Sequence, residues 1–238
     1  MHTSAKQLPS QDNLNVPEHE QISGALDDDK IKENIEWNKK RWGQLDKWNE
    51  VDSYGYRWGK GVQQKYNGAT LIAEKYLLPY VGGRRDLTIL EVAPGAGRFT
   101  TELIRIAGKL YLLDLNQACI DICKERFKYY THIEYFVNDG VSCDMVPDNT
   151  FDLIATYDSF VHVEPAVIRE YLRQFVSKLV PGGIIWIDHS GRGERELGHR
   201  TAMTDKLMME YASEFGLKVI TQRFRNDHDC ISILQKRQ

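Results

Sequence analysis

The pattern of this chain predicts an α/β fold, because short apolar runs of strand character alternate with segments whose apolar residues recur at helical spacing. Three observations carry the prediction. The stretch 88–101, T-I-L-E-V-A-P-G-A-G-R-F-T-T, is an apolar run around a single acid, Glu91, that breaks into Pro94-Gly95-Ala96-Gly97. A second apolar run, 109–114, ends in Asp114, 17 residues beyond Gly97. The last two runs, 217–224 and 230–234, are separated by a short turn at Asn226-Asp227, with no helical segment between them.

Residues 1–29 are polar, carry Pro9 and Pro17 and end in Asp27-Asp28-Asp29, which reads as a mobile tail whose acids cap a helix starting near Ile31. Residues 30–84 form a helical, aromatic-rich cap. Trp37, Trp42, Trp48 and Trp58 fall here with Tyr54 and Tyr56, and Ile35, Trp42, Leu45 and Trp48 approximate helical spacing. The run 54–61, Y-G-Y-R-W-G-K-G, has neither strand nor helix period. Its flat side chains, Trp58 among them, suit a loop that closes over a bound cation. A helix over 69–80 ends at Pro79 and Gly82-Gly83.

Residues 85–238 form the α/β domain. Two glycines spaced two apart at the end of a buried strand leave backbone N–H groups uncovered, so a ligand can approach them. Phe99, Leu103 and Ile106 predict a helix over 98–106, which puts the glycine turn at a helix N-terminus. The dinucleotide fingerprint needs a third glycine where the chain has Thr100, which counts against NAD. Asp114 lies near the distance at which nucleotide-binding units place a ribose-binding acid, and it suits equally the N-cap of a helix over 116–127. A third strand, 132–137, runs into Asn138-Asp139-Gly140. A fourth, 151–158, exits through D-S-F-V-H-V. A helix over 165–179 is terminated by Pro181-Gly182-Gly183, and a fifth strand, 184–188, leads to His189-Ser190-Gly191. After the charged loop 191–200 come a helix over 204–215, Gly216 and the closing strands.

The run E-V-A-P-G-A-G resembles motif I of the class I S-adenosylmethionine-dependent methyltransferases, acid-x-Gly-x-Gly-x-Gly, with Ala93 in place of the first glycine. The order of elements over 88–234 and the P-G-G before the fifth strand are also similar to that family. The resemblance implies a Rossmann-like, doubly wound, mostly parallel seven-stranded sheet with an antiparallel C-terminal hairpin. It implies S-adenosyl-L-methionine as cofactor, leaving as S-adenosyl-L-homocysteine. Carried onto this chain, the cofactor set is Glu91 for the amino group, the turn residues Ala93, Gly95 and Gly97, and Asp114 with Leu115 at the ribose. Asp139 with Gly140 would meet the adenine, and Tyr157 and Trp58 complete the set.

Methyl transfer from a sulfonium is an in-line displacement in which the enzyme aligns the acceptor and, for a hydroxyl, removes its proton. His162, Asp158 and His189 follow the fourth and fifth strands, where open α/β sheets bind ligands. His162 is the first candidate for general base, since a neutral imidazole accepts a proton near pH 7. D-S-F-V-H-V also resembles the acid-x-x-x-His stretch of some small-molecule methyltransferases, phosphoethanolamine ones included, whose histidine touches the acceptor. Asp158 and His189 are candidates to bind acceptor or orient His162. The loop 191–200 offers Arg192, Arg195 and Arg200 for paired hydrogen bonds to a phosphate or carboxylate. The segments H-S-G and H-R-T-A-M-T resemble methyltransferases acting on sugars or polysaccharide ends. O-methylation of a sugar or similar polar metabolite is therefore the leading expectation. N-methylation of a small amine and a non-catalytic S-adenosylmethionine-binding module are the alternatives.

Composition bounds the partners. With 31 basic and 34 acidic residues interspersed, net charge −3 and 42% hydrophobic residues over 238, the chain reads as soluble and globular, and nucleic acid is disfavoured. Cys119, Cys123, Cys143 and Cys230 have no zinc spacing and suit free thiols in a reducing compartment. No bound metal is expected, because Asp188-His189 departs from the acid-Asn pair of magnesium-dependent relatives. No run is apolar enough to span a bilayer, so the cytoplasm is the expected location.

Overall fold

The computed structural model describes residues 29–44, 68–194 and 199–238. The aromatic loop 54–61 with Trp58, the tail up to residue 28 and Arg195 lie outside the described residues. The elements are α1 (Asp29–Trp42), α2 (Gly68–Ile72), β1 (Leu87–Val92), α3 (Thr100–Leu103), β2 (Ala107–Asp114), α4 (Gln117–Arg126), β3 (Ile133–Val137), β4 (Phe151–Phe160), α5 (Pro165–Lys178), β5 (Leu179–Ser190), α6 (Asp205–Glu214), β6 (Lys218–Phe224) and β7 (Asp229–Gln235). The strands form one sheet in the order β3-β2-β1-β4-β5-β7-β6, parallel throughout except for β7, which runs antiparallel to β5 and β6. This is the Rossmann-like architecture expected from the sequence.

Both faces of the sheet are covered, which is why β1 and β7 are buried along nearly their whole length rather than at alternate residues. On one face α5 packs Val167, Ile168, Leu172 and Phe175, and α6 packs Met208 and Ala212. On the other lie Ala69 and Ile72 of α2, Leu103 of α3, and Ile120 and Cys123 of α4. β6, at the edge, is the strand with most exposure along its length. Pro165 opens α5, where its missing N–H is no loss, and the Thr204 hydroxyl accepts from the Leu207 N–H at 3.0 Å to cap α6.

Four boundaries differ from the sequence pattern. The helix expected over 98–106 contracts to α3, because the chain must turn back at once: the Leu87 N–H donates to the Ile106 carbonyl at 3.1 Å and β2 is already under way at Ala107. The helix expected over 69–80 passes from α2 into a π turn (Ala73–Leu77) and a 3₁₀ turn (Leu78–Tyr80) around Pro79. The Tyr76 carbonyl receives the Trp186 indole N–H at 2.8 Å instead. Pro181-Gly182-Gly183 does not lie outside the fifth strand but forms an irregularity within β5, between the pairs Phe151–Leu179 and Leu153–Ile184. A Cβ at Gly183 would lie 2.9 Å from the Phe151 carbonyl oxygen, so only glycine lets the strands approach there. β4 runs on to Phe160 through a second irregularity, within which Asp158 has φ of 55°.

Candidate functional site

A cleft with about 960 Å³ of empty space, its open mouth included, lies over the C-terminal ends of β1, β2 and β4. Its floor is the glycine turn and its roof is α1, which contributes Asn34, Ile35, Asn38 and Trp42. The turn is built by backbone geometry. Ala93 has φ of 58° and its N–H donates to the Leu113 carbonyl at 2.7 Å, Gly95 has φ of 58°, and Gly97 has φ of 80°. Ala93 thus carries a side chain in the left-handed region that glycine adopts freely. Gly95 lines the cleft. Gly97 serves packing: a Cβ there would meet the Phe127 ring at 2.4 Å. From α4, Cys123 Sγ donates to the Gly95 carbonyl at 3.3 Å and Arg126 Nη1 to the Ala96 carbonyl at 2.7 Å, so this helix holds the turn.

Two buried acids face the cleft. Asp114 accepts the Gly95 N–H at 3.1 Å and the Asn116 N–H at 2.8 Å, one on each oxygen, and burial raises its carboxyl to about 6 against those donors. Glu91 accepts the Thr100 hydroxyl at 2.6 Å, and burial pushes it up to about 8. Leu115, Gly140 and Tyr157 also line the cleft. Asp139 does not. It is exposed and spends its oxygens on its own turn, accepting the N–H groups of Val141 (2.9 Å) and Ser142 (2.7 Å) and the Ser142 hydroxyl (2.8 Å). Its neighbour Asn138 takes the cleft position, held by the Tyr171 hydroxyl at 2.8 Å and the Ser142 carbonyl at 2.9 Å. The residue of this turn that lines the cleft is thus Asn138 rather than the expected Asp139.

At the other end of the cleft Asp158 is bound by two guanidinium groups. Arg98 Nη2 donates to Oδ2 and Arg225 Nη2 to Oδ1, each at 2.5 Å, and these two cations hold its carboxyl well below the usual range. Arg225 also donates from Nε to Asp188 Oδ1 at 2.9 Å and lies 3.1 Å from Asp229 Oδ2. Asp188 Oδ2 receives the Asp158 N–H at 2.9 Å. The guanidinium carbons of Arg98 and Arg225 lie 4.8 and 5.5 Å from the Tyr157 ring centroid. Asp158 therefore stands at the cleft as a neutralised anchor and is unsuited to accept a proton.

His189 departs from expectation more sharply. It is fully buried, with Nδ1 2.7 Å from the Ser190 carbonyl and Nε2 2.7 Å from the Ser232 hydroxyl, and is absent from the cleft wall. Successive strand residues point to opposite faces, so Asp188 reaches the charge network while His189 turns into the β5–β7 packing. Burial lowers its imidazole to about 4 and keeps it neutral.

His162 is half-buried next to the cleft. Its own ring is not in the wall but packs on Trp42, which is, at 5.4 Å between centroids. Its main-chain carbonyl accepts the side-chain amides of Asn34 at 3.0 Å and Asn38 at 3.1 Å, both from the roof helix. Ring Nδ1 lies 3.2 Å from the His199 carbonyl, and burial lowers the imidazole below its ordinary value. A carbonyl only accepts, so that bond puts the proton on Nδ1 and leaves the lone pair on Nε2.

Sequence reasoning did not single out Arg98, Arg225, Asp229, Asn138, Asn34 or Asn38 for the site. The spacing of Arg225 and Asp229 across the turn at Asn226-Asp227 was the available signal. Among the described residues no group of three or more His, Cys, Asp and Glu is placed to hold a metal ion, and no helix is long and apolar enough to cross a membrane.

Residues 89–183 match the family described as a methyltransferase domain. Phosphoethanolamine N-methyltransferase of Triticum aestivum is 30% identical over 115 residues, 48% of this chain and 22% of that protein. Ribosomal RNA small subunit methyltransferase A of Dehalococcoides mccartyi (strain CBDB1) is 24% identical over 151 residues, 62% of this chain and 46% of that protein. The chain spans less than half the length of these curated relatives. Among solved structures, the N-methyltransferase NodS from Bradyrhizobium japonicum WM9 in complex with S-adenosyl-L-homocysteine superposes with TM-score 0.63 at 17% identity, over 84% of this chain and 99% of that one. The [4+2]-cyclase SpnF superposes with TM-score 0.61 at 14% identity, over 75% of this chain and 84% of that one. At these identities the superpositions establish the fold.

Proposed function

We propose that this chain is an S-adenosylmethionine-dependent methyltransferase that O-methylates a small polar acceptor such as a sugar, with His162 as general base. The cofactor reading is supported by the match of 89–183 to a methyltransferase domain and by the chemistry of the cleft. An uncovered glycine turn, a strand-end carboxylate at Asp114 and a buried acid at Glu91 suit, in that order, close approach of a nucleoside, its ribose hydroxyls and an amino group. Bound there, S-adenosylmethionine supplies a methyl group on a sulfonium that needs no protonation to leave.

The protein's own part is orientation and removal of one proton. Asp114 and Gly95 set the turn, α1 excludes water from above, and Tyr157 is held rigid between Phe99 and the two guanidinium groups. The observation that carries the hydroxyl reading is the state of the bases. Asp158 is paired with two arginines and His189 is committed on both nitrogens, whereas His162 Nε2 has no hydrogen-bond partner among the described residues. His162 thus offers a lone pair beside the cleft, one ring contact behind Trp42 of its wall. A second reading, transfer to a small amine, is favoured by the absence of His162 from the cleft wall and by the relatives named N-methyltransferases. An amine needs a desolvated lone pair more than a base. Methyl transfer to parallel panels of sugars and amines separates the two: His162→Ala should cost a hydroxyl acceptor about two to four orders of magnitude in kcat, and an amine much less. Turnover of amines alone, indifferent to His162, would overturn the hydroxyl reading.

A further inference from the structure

Residues 199–201 are tied down one after another where β4, β7 and α1 come together. His199 has φ of 62°, a left-handed conformation, and its ring lies 4.6 Å from that of Trp37 on α1. Arg200 clamps Asp229 with two bonds, Nε to Oδ1 at 2.6 Å and Nη2 to Oδ2 at 2.8 Å. Asp229 is fully buried at the start of β7 and is held in turn by Asn226 Nδ2 at 2.8 Å and by Arg225. The Thr201 hydroxyl then donates to the Val163 carbonyl at 2.9 Å, and the Thr201 carbonyl accepts the Ser190 hydroxyl at 3.3 Å. Residue 201 is thereby bound to the main chain directly after His162, and the carbonyl of His199 returns to the His162 ring. The peptide that faces His162 Nδ1 immediately precedes the Arg200 clamp.

We propose that Arg200 is a positioning residue: clamped on Asp229, it holds the His199 carbonyl against His162 Nδ1 and so fixes His162 with its proton on Nδ1 and its lone pair on Nε2. The guanidinium that the sequence offered for an acceptor phosphate is engaged inside the protein. Which ring nitrogen carries the proton in a neutral imidazole is set by the bond the other nitrogen makes, so a carbonyl displaced from Nδ1 frees the histidine to exchange tautomers. The charged groups acting on the ring are Asp158 from β4, Asp229 from β7 and Arg200 itself, while α1 presents the uncharged Trp37, Trp42, Asn34 and Asn38. Arg200 opposes protonation of the ring and the two acids favour it. Loss of Arg200 therefore removes the tether that holds the His199 carbonyl on Nδ1. The functional weight of this inference rests on His162 being the base of the proposed reaction, but its test does not.

The test is nitrogen NMR of the full chain labelled at histidine, with the His162 signals assigned by their disappearance in His162→Asn. The wild type should show a protonated Nδ1 and an unprotonated Nε2 in a single neutral form. Arg200→Ala should convert this to a mixture with the Nε2-protonated form, and Arg200→Lys, which keeps the charge and one bond to Asp229, should recover the first form in part. A purely structural ion pair would lower the melting temperature and leave the tautomer alone. An Nε2-protonated His162 in the wild type, or an unchanged single tautomer in folded Arg200→Ala, overturns the proposal. If Arg200→Ala does not fold, the wild-type spectrum and Arg200→Lys decide by the same criteria. Undiminished turnover in His162→Ala would remove the base role while the tautomer assignment stood, so the two failures are distinguishable.

Discussion

Arg225, in the turn that follows β6, donates from Nη2 to Asp158 Oδ1 at 2.5 Å and so fastens the C-terminal hairpin to the wall of the cleft. The guanidinium bridges acids on three elements: Asp158 from β4, Asp188 from β5 and Asp229 from β7.

Removing this bridge strands Asp188 in a low-dielectric interior without a cation, while Asp158 keeps Arg98 and Asp229 keeps Arg200. Arg225→Met should lower the unfolding free energy by about 3–5 kcal/mol, the cost of leaving a buried charge unpaired. Urea denaturation reads it directly, and a loss under 1 kcal/mol would mean that water already solvates the network.

Ala93 stands in the left-handed region with φ of 58°. Ala93→Gly relieves that strain and should stabilise the chain by about 1 kcal/mol, since the gain in the folded state exceeds the added freedom of the unfolded one. A rise in melting temperature with unchanged cofactor affinity is the expected result. A fall would show that the methyl group makes contacts worth more than the strain.

Glu91, raised by burial to about 8, is held mostly protonated at neutral pH. If its ionised form receives the amino group of the cofactor, binding releases a proton. Affinity for S-adenosylhomocysteine then climbs with pH up to about 8 and levels above it, with Asp114, raised to about 6, steepening the acid end. Titrations at several pH values test this, and Glu91→Gln should flatten the slope between 6 and 8.

His189 is held neutral, its imidazole lowered from 6.5 to about 4. A folded-state value below the unfolded one means stability is present above 6.5 and is lost as pH falls towards 4. His189→Gln should remove that part of the acid destabilisation while leaving turnover intact. Loss of activity in a folded variant would return the histidine to the chemistry.

Fold and site were legible in the sequence to different depths. The seven strands and their order follow from apolar runs and from the glycine turn at the end of β1, features that depend on local pattern. Asp114 was legible because its partners, the N–H groups of Gly95 and Asn116, lie close by in the chain. Asn138 was not, because Tyr171, 33 residues later, decides which of two neighbouring polar side chains faces the cleft. His189 was misplaced because a strand-end residue can face either side of the sheet, and only the partner Ser232 on β7 shows which. The Asp158 charge network depends on Arg225, which meets its acids across 37 and 67 residues of chain. Only its contact with Asp229, four residues on, had a local signal.

The most direct measurement is calorimetric titration of the chain with S-adenosylhomocysteine and NAD in parallel, for the wild type and for Asp114→Asn. The amide has one oxygen for the two backbone donors that Asp114 now satisfies. The account predicts roughly micromolar binding of the homocysteine ligand alone, weakened about 10–100-fold by the substitution. Binding of NAD alone, of neither ligand, or of the homocysteine ligand with undiminished affinity in Asp114→Asn would contradict the assignment of the cleft.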